Sequence, residues 1–157
     1  MRIRFKKWAR PELEACPFYI DDPTQNKDKW SDAFKQKAPL HLELGCGKGT
    51  FISTIAVQNP NINYLAVDLV DAMLGLCKRN IEASYKANNK ATDNIIITRY
   101  DIERILDFMS CGDVVDRIYI NFCNPWPKPK HKKKRLTHSK QLEHYKEFLK
   151  VRWRNLL

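Results

Sequence analysis

In "PLHLELGCGKGTFISTIAVQNP", apolar and polar positions first alternate. Leu40, Leu42 and Leu44 occupy every second place and give way to glycines, which predicts a strand ending in a tight turn. Phe51, Ile52, Ile55 and Ala56 then recur at helical spacing. "NYLAVDLV" is short and continuously apolar, as a strand buried on both faces requires. "DAMLGLCKRNIEASYKANN" returns to helical spacing, with Met73, Leu74, Cys77 and Ile81 on one face. "NIIITRYD" predicts a third strand, "IERILDFM" a short helix and "VVDRIYINF" a fourth strand. In "LTHSKQLEHYKEFLK", Leu142, Tyr145, Phe148 and Leu149 fall at helical spacing behind a Thr or Ser cap. Strands alternating with helices imply an α/β fold, a mostly parallel sheet with helices on both faces. The fourth strand has no obvious successor. Either the final "VRWRNLL" supplies a short fifth strand, or the C-terminal strands of the domain are missing.

A chain of 157 residues with 43% apolar content holds one domain with a real core. Residues 1–36, with the polar stretch "YIDDPTQNKDKWSDAFKQ", read as a basic N-terminal arm and linker. Residues 37–157 read as the α/β domain, incomplete at its C-terminus. The net charge of +10 is concentrated in two acid-free windows. Arg2, Arg4, Lys6, Lys7 and Arg10 form one, and Lys128, Lys130, Lys132, Lys133, Lys134 and Arg135 the other. The rest of the chain is close to neutral, so the excess belongs to two added stretches that suit a polyanion. Five cysteines, odd in number and without a Cys-x-x-Cys pair, argue for reduced thiols rather than a disulfide framework or a zinc site. No stretch approaches about 20 apolar residues, and the basic N-terminus lacks the apolar segment of a secretory signal. A soluble, cytoplasmic protein without membrane or metal partners is expected.

Gly45, Gly47 and Gly49 crowd the turn "LELGCGKG". A strand-to-helix turn needs glycine where φ is positive or where a ligand must touch the backbone. Thr50 stands where a dinucleotide fingerprint would place its third glycine, so the spacing disfavours a nicotinamide cofactor. Asp68 ends the second strand, where a carboxylate accepts hydrogen bonds from ribose hydroxyls. Glu43 occupies a strand position that ought to be apolar, and an amino-bearing or cationic ligand would explain it. Asp101 follows the third strand. Each carboxylate alone reads as a cap or turn residue, but the three at successive strand ends point to a ligand.

The run E-x-G-x-G-x-G, an acid ending the second strand and an Asp after the third resemble the S-adenosylmethionine site of Rossmann-like class I methyltransferases. "INFCNPWPKPKHKKKRLTH" narrows the likeness: it resembles the bacterial tRNA (guanine-N7)-methyltransferase family, whose signature is an Asn-Phe-x-Asp-Pro-Trp turn followed by a basic run and Arg-Leu. "MRIRFKKWARPELE" resembles that family's basic arm. The likeness covers the chain to about Lys150. It implies methyl transfer from S-adenosylmethionine to N7 of a guanine in tRNA, in the variable loop. It places Glu43, Gly45, Gly47, Asp68, Asp101 and Asn124 at the cofactor, with Asn124 also at the chemistry and Lys128 on the substrate. Lys130, His131, Lys132, Lys133, Lys134 and Arg135 would grip RNA. Asn124 stands where the family usually has Asp, keeping a carbonyl acceptor but losing a negative charge. Trp126 reads either as a stacking platform for a base or as a packing residue beneath the turn. His41, His138 and His144 carry no signal.

The family continues past the last helix with a Gly-Gly turn, a fifth strand and an Asp-bearing substrate motif. Suitable codons for Arg152 to Asn155, read one nucleotide later, give Gly-Gly-Glu, so a frameshifted, truncated chain is expected. The exposed edge of its fourth strand would favour a homodimer or poor solubility over a well-behaved monomer. Two other readings remain: a non-catalytic RNA-binding remnant, and a methyltransferase acting on another RNA.

Overall fold

A computed structural model describes residues 3–121 and 138–150 of the protein. Helix α1, Ala9–Glu14, leads into a two-residue strand β1, Tyr19–Ile20, and the short helix α2, Trp30–Ala33. Strand β2, Leu40–Leu44, is followed by α3, Thr50–Gln58, and strand β3, Asn63–Asp68, by α4, Asp71–Ala87. Strand β4, Ile95–Arg99, runs into a 3₁₀ segment, Ile102–Asp107, then β5, Arg117–Tyr119, and α5, Ser139–Lys146.

Among the described residues these form a five-stranded sheet in the order β1-β4-β3-β2-β5, every pair parallel. Order runs outward from β2 through β3 to β4 and then jumps to the other side of β2 for β5. The reversal between β2 and β5 opens a crevice at the carboxyl ends of the strands, where open α/β sheets bind ligands.

Both faces are covered, as the near-continuous apolar strands demand. On one face Tyr64, Ala66, Ile95 and Ile97 pack with Ile52 and Ala56 of α3 and with Leu74, Cys77 and Ile81 of α4. On the other, Leu42, Leu44, Leu65, Val67 and Ile96 meet Trp30, Phe34, Ile105, Phe108 and Tyr145. Met73, expected on the buried stripe of α4, is half-buried, and Tyr85 extends the stripe instead.

Three expectations need correction. Residues 9–36 are folded against the sheet and are no linker: Ala9, Leu13 and Trp30 are fully buried, and β1 pairs with β4 at the edge. A two-residue strand is too short to show a period, and Trp30 supplies apolar bulk amid polar neighbours. Secondly, α5 is capped by His138, whose Nδ1 accepts from the Lys140 N–H at 3.2 Å. Thirdly, Leu142 is exposed while Gln141 is buried, its Nε2 donating to the Ile102 carbonyl at 2.6 Å. Leu149 has also left the helix. Val115 N–H donates to Phe148 O at 2.9 Å and Lys150 N–H to Val115 O at 2.7 Å, so the chain is back at the sheet edge beside β5.

Candidate active site

The glycine turn leaves β2 with three consecutive odd positions in the left-handed region: Gly45 at φ 78°, Gly47 at 55° and Gly49 at 80°. Side chains other than glycine are strained there. Gly45 and Cys46 donate their N–H groups to Val67 O at 2.8 and 3.1 Å, which ties the turn to the end of β3. A Cβ on Gly47 would meet nothing within 4 Å, so that part of the turn faces open space. A Cβ on Gly49 would come within 2.5 Å of Cys77 Sγ, so Gly49 is required for the close seating of α3 on α4.

Asp68 joins this turn to the next. One carboxylate oxygen accepts from Gly47 N–H at 2.9 Å, the other from Val70 N–H at 3.0 Å. Each oxygen keeps a further lone pair, and the residue is half-buried at the rim. Leu69 beside it is 48% exposed, an apolar surface at the same rim that sequence reasoning missed. Only exposure distinguishes it from its buried strand neighbours.

Glu43 is the anomaly of the site. It is fully buried, and neither carboxylate oxygen has a hydrogen-bond partner. Burial, with a smaller contribution from the Asp68 charge, pushes its carboxyl up to about 8. Its cross-strand neighbours are Ala66 of β3 and Tyr119 of β5, which places it beside the topological reversal. Beneath the turn lies Cys46, whose buried thiol is held well above its ordinary range chiefly by its hydrogen bond with Cys77 and by burial.

Asp101 follows β4 on the same carboxyl rim and caps the 3₁₀ segment, accepting from Glu103 N–H at 3.0 Å. It therefore performs the capping role that its position alone suggested. The structure thus brings Glu43, Gly45, Gly47 and Asp68 together and sets Asp101 one strand further along. Asn124, Lys128, Lys130, His131, Lys132, Lys133, Lys134 and Arg135, together with Trp126, lie outside the described residues. Asn121, at the start of that motif, is exposed just past β5. Among the described residues no three His, Cys, Asp or Glu side chains are placed to hold a metal, and no helix is long and apolar enough to cross a membrane.

A sheet of this order with a glycine turn and rim carboxylates has the architecture of a Rossmann-like methyltransferase. The family model described as "Putative methyltransferase" matches residues 37–152. PKMT2 from Rickettsia typhi, solved in complex with AdoHcy, shares the fold at a TM-score of 0.51 and 21% identity, covering 85% of this chain and 24% of that one. A tRNA (guanine-N(7)-)-methyltransferase of Clostridium beijerinckii is 57% identical over 150 residues, spanning 96% of this chain and 68% of its own length. One from Clostridium botulinum is 54% identical with the same coverage. The chain belongs to the tRNA (guanine-N(7)-)-methyltransferase family.

Proposed function

We propose that the carboxyl rim of β2, β3 and β4 binds S-adenosylmethionine, and that the chain directs its methyl group to N7 of a guanine in the variable loop of tRNA. The observation that carries this reading is Glu43, a buried carboxyl without a partner beside an open glycine turn, in a chain of this family. An unpaired buried carboxylate is costly, and an ammonium group of the ligand would satisfy it. The spare lone pairs of Asp68 suit the two ribose hydroxyls, and Leu69 offers an apolar surface to the purine. Gly45 and Gly47 let the ligand approach the backbone. Asp101, already a cap through one oxygen, keeps acceptor capacity for an amino group.

S-adenosylmethionine supplies an electrophilic methyl group on a sulfonium. Guanine N7 carries a lone pair and no proton, so the chain has no proton to remove before attack. Its contribution is to place N7 in line and to exclude other orientations. Positive charge develops on the purine, and in this chain the motif residue Asn124 offers a carbonyl dipole where a carboxylate would offer full charge. Lys128 follows it on the substrate side, and the cations from Lys130 to Arg135 engage tRNA phosphates.

The test is methyl transfer from radiolabelled S-adenosylmethionine to tRNA transcripts, with the modified base mapped by chain cleavage at 7-methylguanine. One labelled guanine in the variable loop is the expected result. Binding of tRNA without cofactor binding or transfer would point instead to an RNA-binding remnant. Label in a different RNA would make the enzyme one of another substrate.

A further inference from the structure

The lead into α1 ends in a packed root. The Arg79 guanidinium lies over the Trp8 ring, 3.4 Å from its centroid, and is itself held by Glu12 through hydrogen bonds of 3.0 and 2.7 Å. A Cβ on Gly75 would fall within 2.8 Å of Trp8 Cζ3 and 2.9 Å of Ala9 Cβ, so this root presses directly on the backbone of α4. Ala9 and Leu13 are fully buried behind it. Gly75 is four residues into α4, which begins at the carboxyl end of β3. That spacing sets the root about 6 Å along the helix from the rim that carries Asp68.

Three residues before Trp8 in the chain stands Phe5, 82% exposed. Arg4 and Lys7 beside it are exposed, Lys6 is half-buried, and no acid occurs before Glu12. An aromatic face held in water among cations fits neither an apolar protein groove nor an acidic peptide as well as it fits nucleic acid. Phosphates meet the charges, and an unpaired base, which has a π-face whatever its identity, covers the ring. We propose that Phe5 is a stacking platform for an unpaired base of the tRNA, set by the Trp8–Arg79 root beside the cofactor rim. The inference rests on the tRNA reading and adds a contact outside the basic run at residues 128–135.

Phe5→Ala, Phe5→Leu and Phe5→Trp, made in the full chain, test it by equilibrium binding to a tRNA transcript and to a fully paired RNA duplex of equal length, each across a salt series. The ring is exposed, so all three variants should melt with the wild type. Phe5→Ala and Phe5→Leu should weaken tRNA binding by about 5- to 100-fold, as loss of one base stack does. Phe5→Trp should hold wild-type affinity. The salt slope should not move, because no cation is lost, and duplex binding should be equal in all four proteins. Wild-type affinity in Phe5→Leu, or an equal loss on tRNA and duplex, overturns the stacking assignment. A wild-type chain that binds no tRNA overturns the functional reading itself, which separates the two failures.

Discussion

The buried polar side chains at the amino end of the sheet have their partners, whereas at the carboxyl end one of them, Glu43, has none. At the amino end Asn94 donates to the carbonyls of Ala56, Asn59 and Ile62 at 2.9, 3.1 and 3.0 Å, and accepts from the Tyr85 hydroxyl at 2.5 Å. The Asp113 carboxylate there accepts from the N–H groups of Asp28, Trp30 and Ser110. Asn63 exchanges hydrogen bonds with Gln36, donating to its carbonyl and accepting from its side-chain amide. At the carboxyl end Glu43 has no partner at all, and three glycines hold conformations that other residues avoid. A buried polar group whose bonds are made stabilises a fold, and one whose bonds are missing destabilises it until something else binds. Stability is thus drawn from the amino ends of these strands, and the function proposed above from their carboxyl ends.

The hardest blow to this contrast would fall on Asn94. Asn94→Ala removes four hydrogen bonds and leaves buried carbonyls unpaired, so it should lower stability by about 3–5 kcal/mol. Denaturant melting measures the loss, and cofactor affinity of the folded fraction should be unchanged. A variant that melts like the wild type would show that the amino end is not the structural one.

Glu43→Gln should act in the other direction. Below the ordinary carboxyl value of 4.5 both folded and unfolded chains hold the proton, and the group contributes nothing. Between that value and about 8 the folded chain keeps its proton while the unfolded chain releases it, so wild-type stability falls as pH rises. Above the folded value the whole penalty is in place. The amide does not titrate, so the stability of the variant relative to wild type should climb by a few kcal/mol, on the order of the shift, from pH 5 to 9. Binding of an ammonium-bearing cofactor should ionise Glu43. Calorimetry in two buffers at pH 7 should then find close to one proton released by the wild type and none by the variant, with affinity lower by about 10- to 100-fold. A flat stability difference across that range would remove Glu43 from its role.

Within the turn, Gly49→Ala and Gly47→Ala separate packing from openness. Both incur the left-handed penalty of about 1–2 kcal/mol. Only the first also drives a methyl group into Cys77 Sγ, so it should be the less stable by denaturant titration. Gly47→Ala meets open space, and its damage should show in cofactor binding beyond what stability predicts. Equal behaviour of the pair would mean that the turn is merely tight.

Much of this contrast was legible in the chain. Alternation at Leu40, Leu42 and Leu44, and the apolar runs at β3 and β4, fixed the parallel sheet because each strand is long enough to carry a pattern. Glu43 announced itself as a carboxylate amid apolar neighbours, and Asp68 by standing at a strand end. Asn94 was not legible. An Asn before a strand looks like any turn residue, and its four partners come from segments up to 38 residues away. The segment before β2 reads as a linker for the same reason: Tyr19 and Ile20 gain a partner only when β4 lies beside them.

The smallest effect concerns Arg10, which composition groups with the cations of the arm. In the fold its guanidinium lies 2.7 Å from Asp21, 3.2 Å from Glu14 and 3.6 Å from Asp71, and donates to the Tyr19 hydroxyl at 2.8 Å. Arg99 shares Asp71 at 3.3 Å. Asp71 Oδ1 makes no hydrogen bond to either cation, so the attraction there is that of ion pairs alone. Such half-exposed pairs contribute about 0–1 kcal/mol, and a cation surrounded by acids has little field left for a phosphate. Arg10→Ala should therefore lower stability by less than about 1 kcal/mol and leave the salt slope of tRNA binding where it was. Lys7→Ala, which removes an exposed cation beside Phe5, should reduce that slope by about 0.7–0.9. If Arg10→Ala flattened the slope as much as Lys7→Ala does, the charge of the arm would be acting as one block, and the ion network would not separate the cations that fold the chain from those that meet RNA.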